Sequence, residues 1–180
     1  MPTILPLLLT ANVALPVEEQ KPLPTTFFIV RHAEKDEKEN LSEVGKKRAE
    51  ALKRFLANQN IGVVYSTDFA RTRDTAKPTA DAAKLKIQQY GPTPDKAWLD
   101  EVRTKHPGQN VLVVGHSNTV VPIVNGLGAN LKYKVGYDEY HNLFIVRVQG
   151  SVAQAVRINF GSVPAPKPAE SKKKKVKATP

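Results

Sequence analysis

Three short stretches carry side chains that could do chemistry together: Arg31-His32, Arg71, and His116-Ser117-Asn118. A neutral imidazole is a nucleophile, and guanidinium groups bind oxyanions through paired, charge-assisted hydrogen bonds. Two His, two Arg and neighbouring hydroxyls at one edge of a fold would make a cationic pocket. Its natural guest is a phosphoryl group, attacked at phosphorus by an imidazole while the guanidinium groups hold its oxygens and stabilise transition-state charge. The chain contains no cysteine, which excludes a disulfide framework, a thiolate metal site and a cysteine nucleophile. Zinc held by the four histidines is a poor fit, because no pair has i, i+4 spacing and no thiolate is present.

To act together these residues must be delivered by rigid elements, and the surrounding sequence predicts them. Phe27-Phe28-Ile29-Val30 is a continuous apolar run ending in Arg31-His32, the pattern of a strand buried on both faces. Ser42 can cap a helix in which Val44, Arg48, Leu52, Phe55 and Leu56 recur at helical spacing, ending near Asn60. Ile61 to Tyr65 reads as a second strand and Phe69 to Ala83 as a second helix. A short strand over Lys86–Tyr90, a Pro-bearing turn and a helix over Lys96–Lys105 follow. Val111 to Val114 is again a buried strand, delivering Gly115-His116, with a helix expected from Thr119 to Leu127. Asn142–Val148 and Val152–Ile158, joined by Gln149-Gly150, read as a closing hairpin. Alternating strands and helices imply an α/β domain, a three-layer αβα arrangement with a mostly parallel sheet. In such open sheets ligands bind beyond the carboxyl ends of the strands, where Arg31-His32, Tyr65-Ser66 leading to Arg71, and His116-Ser117-Asn118 all fall.

The 180 residues suggest one domain, expected over residues 26–160. Lys and Arg exceed Asp and Glu by 27 to 17, a net charge of +10 that is unevenly spread. Pro164 to Pro180 holds six Lys and one Glu, so half of the excess lies on a Lys-rich tail over residues 161–180. That tail has too few apolar residues to offset its ordering entropy and is expected to be disordered. It offers a salt-sensitive contact for polyanions, or serves only as a solubilising segment. Residues 1–25 form an N-terminal arm with an apolar stretch from Ile4 to Leu9, far too short to span a bilayer. It reads either as a signal-like segment, which would place the protein in the periplasm or outside the cell, or as a greasy arm on a cytoplasmic protein. No integral membrane segment is expected.

The motifs also resemble a known family. Val30-Arg31-His32-Ala33-Glu34-Lys35 is similar to the Arg-His-Gly signature of the histidine phosphatase superfamily, the phosphoglycerate mutase-like proteins, with Ala in place of Gly. Leu41-Ser42 with Gly45, Arg48, Ala49 and Leu52 resembles its first helix. Tyr65-Ser66-Thr67-Asp68-Phe69-Ala70-Arg71-Thr72-Arg73-Asp74-Thr75-Ala76 resembles its second motif, and Val113-Val114-Gly115-His116-Ser117 its second histidine motif. The resemblance implies that His32 is the nucleophile, forming a phosphohistidine that water hydrolyses. It implies that Arg31, Arg71 and His116 hold the phosphoryl oxygens, that Ser117 and Asn118 join in binding substrate, and that neither metal nor cofactor is needed. Only about 40 residues separate the second motif from Gly115, so the chain resembles the short branch that includes phosphohistidine phosphatases. A small phosphorylated substrate or a phosphoprotein is the partner this implies.

An alkoxide leaving group wants a proton from a carboxylic acid. The candidates are Asp95 in the turn after the third strand and Glu34 beside the nucleophile motif, with Asp36 and Glu37 in the next loop. A phosphohistidine or aryl phosphate has a better leaving group and needs less help. The mixed-charge run from Glu34 to Glu39 otherwise reads as a solvated loop, Arg73 as a solvated helix residue, and His106 and His141 as structural histidines. The alternative from another class is a non-catalytic phosphate-binding module held on polyanions by its Lys-rich tail.

Overall fold

A computed structural model describes residues 22–162; the N-terminal arm up to residue 21 and the Lys-rich tail from residue 163 lie outside the described residues. In chain order the elements are β1 (Thr25–Arg31), α1 (Glu43–Leu56), β2 (Ile61–Ser66), α2 (Ala70–Ala82), β3 (Ile87–Gln89), α3 (Lys96–Lys105), β4 (Asn110–Gly115), α4 (Val120–Gly126), β5 (Asn142–Gln149) and β6 (Val152–Asn159). They form one six-stranded sheet in the order β3-β2-β4-β1-β5-β6. β3, β2, β4 and β1 run parallel, and the β5-β6 hairpin closes the sheet antiparallel to β1. This is the expected three-layer α/β architecture with a mostly parallel sheet.

The strand runs are apolar throughout because successive side chains enter two different cores. Phe27 and Ile29 of β1 join Val111 and Val113 of β4 on the face covered by α3 and α4, through Val102, Val120, Ile123 and Val124. Phe28 and Val30 join Leu112 and Val114 on the opposite face, covered by α1 and α2 through Leu52, Leu56, Ala76 and Ala80. Nearly all of these side chains are fully buried. At about 25 cal/mol per Å² of apolar surface removed from water, each Val, Leu, Ile or Phe among them is worth about 1.5–3 kcal/mol. The core therefore fixes the strands, and the strands fix what emerges from their ends.

Two expectations about α1 need correcting. Val44 and Phe55 do not lie on its buried face: they are 58% and 38% exposed. That face is built from Gly45, Arg48, Ala49, Leu52 and Leu56. The rotation follows from close backbone approach, since a Cβ at Gly45 would collide with the Glu34 carbonyl. The helix begins as expected, with Ser42 Oγ accepting from Gly45 N at 3.1 Å, but stops at Leu56. Asn60, in the left-handed region at φ 46°, then turns the chain into β2. The hairpin turn falls on Gly150-Ser151, one residue later than expected, with Gly150 at φ 58°. Among the described residues no helix is long and apolar enough to cross a membrane.

Candidate active site

Parallel register brings the three stretches together. Arg31 at the end of β1 pairs with Gly115 at the end of β4, and His32 N donates to the Gly115 carbonyl at 2.9 Å. The next residue on each chain is therefore a histidine at the same edge, with ring centroids of His32 and His116 5.6 Å apart. β2 lies on the other side of β4, its Ser66 level with Val114, and delivers Arg71 in the first turn of α2. The expected residues His32, Arg71, His116, Ser117 and Asn118 line one open cleft of about 330 Å³, with Lys35, Phe69 and Thr93 at its walls.

His32 is buried, and its Nδ1 lies 2.8 Å from the Ala33 carbonyl oxygen. A carbonyl only accepts, so Nδ1 carries the proton and Nε2 keeps its lone pair. Burial, reinforced by the charges of Arg31 and Arg71, lowers the His32 pKa to about 4. His116 is lowered to about 4 by the same causes. Its Nε2 meets Thr67 Oγ1 at 3.0 Å, which meets Thr72 Oγ1 at 2.9 Å. Thr72 spends its single proton on a backbone carbonyl, that of Phe69 at 2.8 Å or Thr67 at 3.0 Å. Thr67 must then donate to Thr72 and accept from His116, which fixes that ring's proton on Nε2. Both imidazoles are neutral at pH 7.

The unfolded chain takes up protons near pH 6.5 and the folded site only near 4. Each histidine's contribution to folding is therefore complete above pH 6.5 and is lost as pH falls from 6.5 towards 4. Imidazole ¹⁵N NMR, with both rings assigned by substitution, is expected to show His32 and His116 still neutral at about pH 6. Titration at the ordinary histidine value would contradict this reading of the site.

The two arginines are anchored differently. Arg31, expected in the same site, is buried behind His32 rather than among the residues that line the cleft, and donates through Nη1 to the carbonyls of Gly136 at 3.2 Å and Tyr137 at 2.7 Å. Its Nη2 reaches Tyr140 Oη at 3.2 Å, and the guanidinium stacks 3.9 Å from the Tyr140 ring centroid. Burial lowers its pKa, which nearby Tyr140 partly offsets. Arg71 stacks on Phe69 at 4.4 Å, and Phe69 in turn stands edge-on to His116 at 5.2 Å. The Nε atoms of Arg31 and Arg71 are both buried without a hydrogen-bond partner among the described residues. Unpaired buried donors are rare because each costs about 1–3 kcal/mol. Two of them beside a neutral imidazole are what a tetrahedral oxyanion would satisfy.

None of the carboxylates expected as proton donors lines the cleft. Glu34 faces away from the cleft, pairing with Arg48: Nε lies 2.8 Å from Oε2 and Nη2 2.6 Å from Oε1. Arg48 also donates to the Ser162 carbonyl at 3.1 Å, tying the chain after β6 to α1. Asp95 is the N-cap of α3, its carboxylate accepting from Trp98 N at 2.9 Å, and does not line the cleft. Asp36 accepts from the backbone of Lys38 and Asn40 within its own loop, and Glu37 is exposed. Glu34→Gln is expected to lower stability by about 1–3 kcal/mol, since Arg48 loses its charged partner, with aryl phosphate turnover unchanged. Chemical denaturation and steady-state kinetics on one preparation check both halves.

A carboxylate that sequence reasoning passed over does reach the site. Glu39, left-handed at φ 67° in the loop after β1, bridges Lys35 and Arg71 through its two oxygens. The Lys35 hydrogen bond first, and then the charge of Arg71, hold its pKa below the usual carboxylate range. It is therefore an anion on the pocket arginine and a poor acid. Glu39→Gln should lower KM for an aryl phosphate by about 3- to 10-fold with little change in kcat, because the substrate no longer displaces a charge. His106 and His141 lie elsewhere. His106 is buried, with Nε2 2.9 Å from Tyr65 Oη and its carbonyl accepting from Thr25 at 2.6 Å.

Known proteins share part of this sequence and its fold. Residues 27–90 match the family model described as histidine phosphatase superfamily (branch 1). No curated protein matches the chain. Several solved structures share the fold at low identity. A candidate α-ribazole-5′-P phosphatase from Escherichia coli has a TM-score of 0.60 at 14% identity, over 75% of this chain and 96% of its own. A mycobacterial glucosyl-3-phosphoglycerate phosphatase in complex with VO3 has a TM-score of 0.57 at 13% identity, over 77% and 99%. A candidate phosphohistidine phosphatase, SixA from Agrobacterium tumefaciens, has a TM-score of 0.52 at 19% identity, over 79% and 100%. The family match spans the Arg-His strand, α1 and the second Arg motif, and the paired strand ends add the second histidine to the same edge. Residues 27–90 thus match the histidine phosphatase superfamily (branch 1), and the chain as a whole has the phosphoglycerate mutase-like fold.

Proposed function

We propose that this protein is a metal-independent phosphatase acting on phosphomonoesters or phosphohistidine through a covalent phosphohistidine on His32. The observation that carries the reading is the neutral His32 ring, with Nδ1 committed to Ala33 and Nε2 bearing a lone pair, between two arginines whose Nε donors are unpaired. The superfamily match supports phosphatase activity in general. Nε2 attacks phosphorus, the bond to the leaving oxygen or nitrogen breaks, and that atom takes the electron pair. The imidazolium so formed is stabilised by the Ala33 carbonyl on Nδ1. Arg31 and Arg71 hold equatorial oxygens and stabilise their charge, and His116, whose Nε2 proton goes to Thr67, joins them as an imidazolium once the bound dianion draws a proton onto its Nδ1. Water then attacks phosphorus, the P–N bond breaks, its electrons return to Nε2, and inorganic phosphate leaves.

Among the described residues no candidate carboxylate is placed to donate a proton, and this favours one class of substrate. With Glu34 and Asp95 engaged elsewhere and Glu39 held as an anion, the site suits leaving groups that depart without a strong proton donor. Aryl phosphates and phosphohistidine fit, the latter on a phosphoprotein admitted by the open cleft. We further propose export to the periplasm or the cell exterior by the signal-like N-terminus, and weak polyanion binding by the Lys-rich tail. The decisive test is rapid quenching of the full chain with a labelled aryl phosphate. An acid-labile, base-stable phosphoenzyme is expected during turnover. Turnover that needs a metal ion, or that proceeds without a phosphoenzyme, would overturn the proposal.

A further inference from the structure

We propose that Glu139 is a positioning residue for Arg31: its carboxylate folds the connection between α4 and β5 into the clamp that sets which edge of the guanidinium faces the phosphoryl site. The inference rests on the phosphatase reading above and adds to it a residue outside the cleft.

That connection contains neither helix nor strand, so its shape must come from side chains. Glu139 supplies it. A single carboxylate oxygen, Oε2, accepts from Tyr133 Oη at 2.5 Å, from Gly136 N at 3.1 Å and from Asn142 Nδ2 at 3.0 Å. These partners lie before the turn, within it, and at the first residue of β5. Asn142 is itself held by Arg157 of β6 at 2.8 Å, so the carboxylate ties the turn to the rigid hairpin. The turn packs directly against it, since a Cβ at Gly136 would lie 3.2 Å from Glu139 Cδ.

The other side of the same turn holds Arg31. The carbonyls of Gly136 and Tyr137 take Nη1, and Tyr140 stacks beneath the guanidinium while its hydroxyl accepts from Nη2. In a planar guanidinium the Nε–H lies on the edge opposite Nη1. Committing Nη1 to two carbonyls therefore leaves Nε as the donor turned away from the clamp, and Nε is the buried atom without a partner. Glu139 touches neither Arg31 nor the cleft in any of these bonds; it acts through the backbone it folds. Holding a donor to within a fraction of an ångström of its working place is worth up to about 10²-fold in rate.

The test compares the full-length wild type with Glu139→Ala, Glu139→Gln and Tyr133→Phe. Inorganic phosphate affinity is measured by calorimetry, and kcat and KM with an aryl phosphate. Glu139→Ala should weaken phosphate binding and kcat/KM by about 10- to 100-fold with kcat falling as well as KM rising. Glu139→Gln keeps an accepting oxygen and should recover most of both. In an Arg31→Ala background Glu139→Ala should add nothing, because its effect passes through Arg31. Equal loss in that background, or no loss in the wild type, overturns the inference. If Glu139→Ala does not fold, Tyr133→Phe removes one of the three bonds and is held to the same comparison with Arg31→Ala. Wild-type protein that binds phosphate without turnover would refute the phosphatase reading alone, and the binding measurements would still decide the role of Glu139.

Discussion

Alanine in place of His32 is expected to lower turnover of an aryl phosphate by about 10⁴-fold or more, the scale on which loss of a catalytic nucleophile is felt. The phosphoenzyme should vanish with it. Stability is expected to change little at pH 7, and at lower pH to improve relative to the wild type. The reason is the sign of the shift: a group held at about 4 in the folded site and near 6.5 unfolded weakens folding as pH falls between those values. Removing it removes that acid sensitivity. Kinetics at pH 7 together with thermal melts at pH 7 and 5 make the measurement. A variant that still turns over at wild-type rate would exclude His32 as the nucleophile.

Arg71→Ala should cost about 10²- to 10³-fold in kcat/KM, the usual effect of removing one preorganised donor from developing oxyanion charge. Arg71→Lys should restore little, because an ammonium group lacks the planar fork and cannot stack on Phe69 as the guanidinium does at 4.4 Å. Thermal midpoints should stay close to the wild type, since Arg71 sits at the start of α2 and lines the cleft rather than filling a core. A melt that falls as far as activity does would assign Arg71 a structural role. Measuring both variants against the same substrate separates lost charge from lost geometry.

The parts of the molecule that could be read from sequence are those fixed by short-range pattern. Phe27–Val30 and Val111–Val114 are continuous apolar runs because β1 and β4 are covered on both faces, and each run announces the polar residues that follow it. His32 and His116 were legible for that reason. The face of α1 was not, because the close approach of Gly45 to Glu34 is a tertiary contact that rotates Val44 and Phe55 outward. Glu34 looked like an acid beside the nucleophile, yet its partner Arg48 lies fourteen residues on, across a turn whose path no periodicity reveals. Asp95 is a different case. An Asp directly before a helix starting at Lys96 is a capping signal, and a carboxylate that caps a helix is not free to serve as the acid. The clamp on Arg31 is built from carbonyls more than a hundred residues away, and every residue type has a carbonyl. Side-chain identity carries no trace of it.

The bridge that Glu39 makes between Lys35 and Arg71 has a consequence for which anions the protein admits. The pocket cations are already partly neutralised, so an incoming ion must supply more negative charge than one carboxylate in order to replace it. Chloride, acetate and bicarbonate each carry a single charge and gain nothing by the exchange. A phosphoryl dianion would gain on charge and, by giving the unpaired Nε donors acceptor oxygens, on geometry as well. In the proposed cycle the same contact would act at the end, with Glu39 returning to Arg71 as phosphate departs. On the proposed function the loop after β1 would act as a charge filter on entry and would shorten the residence of product on exit.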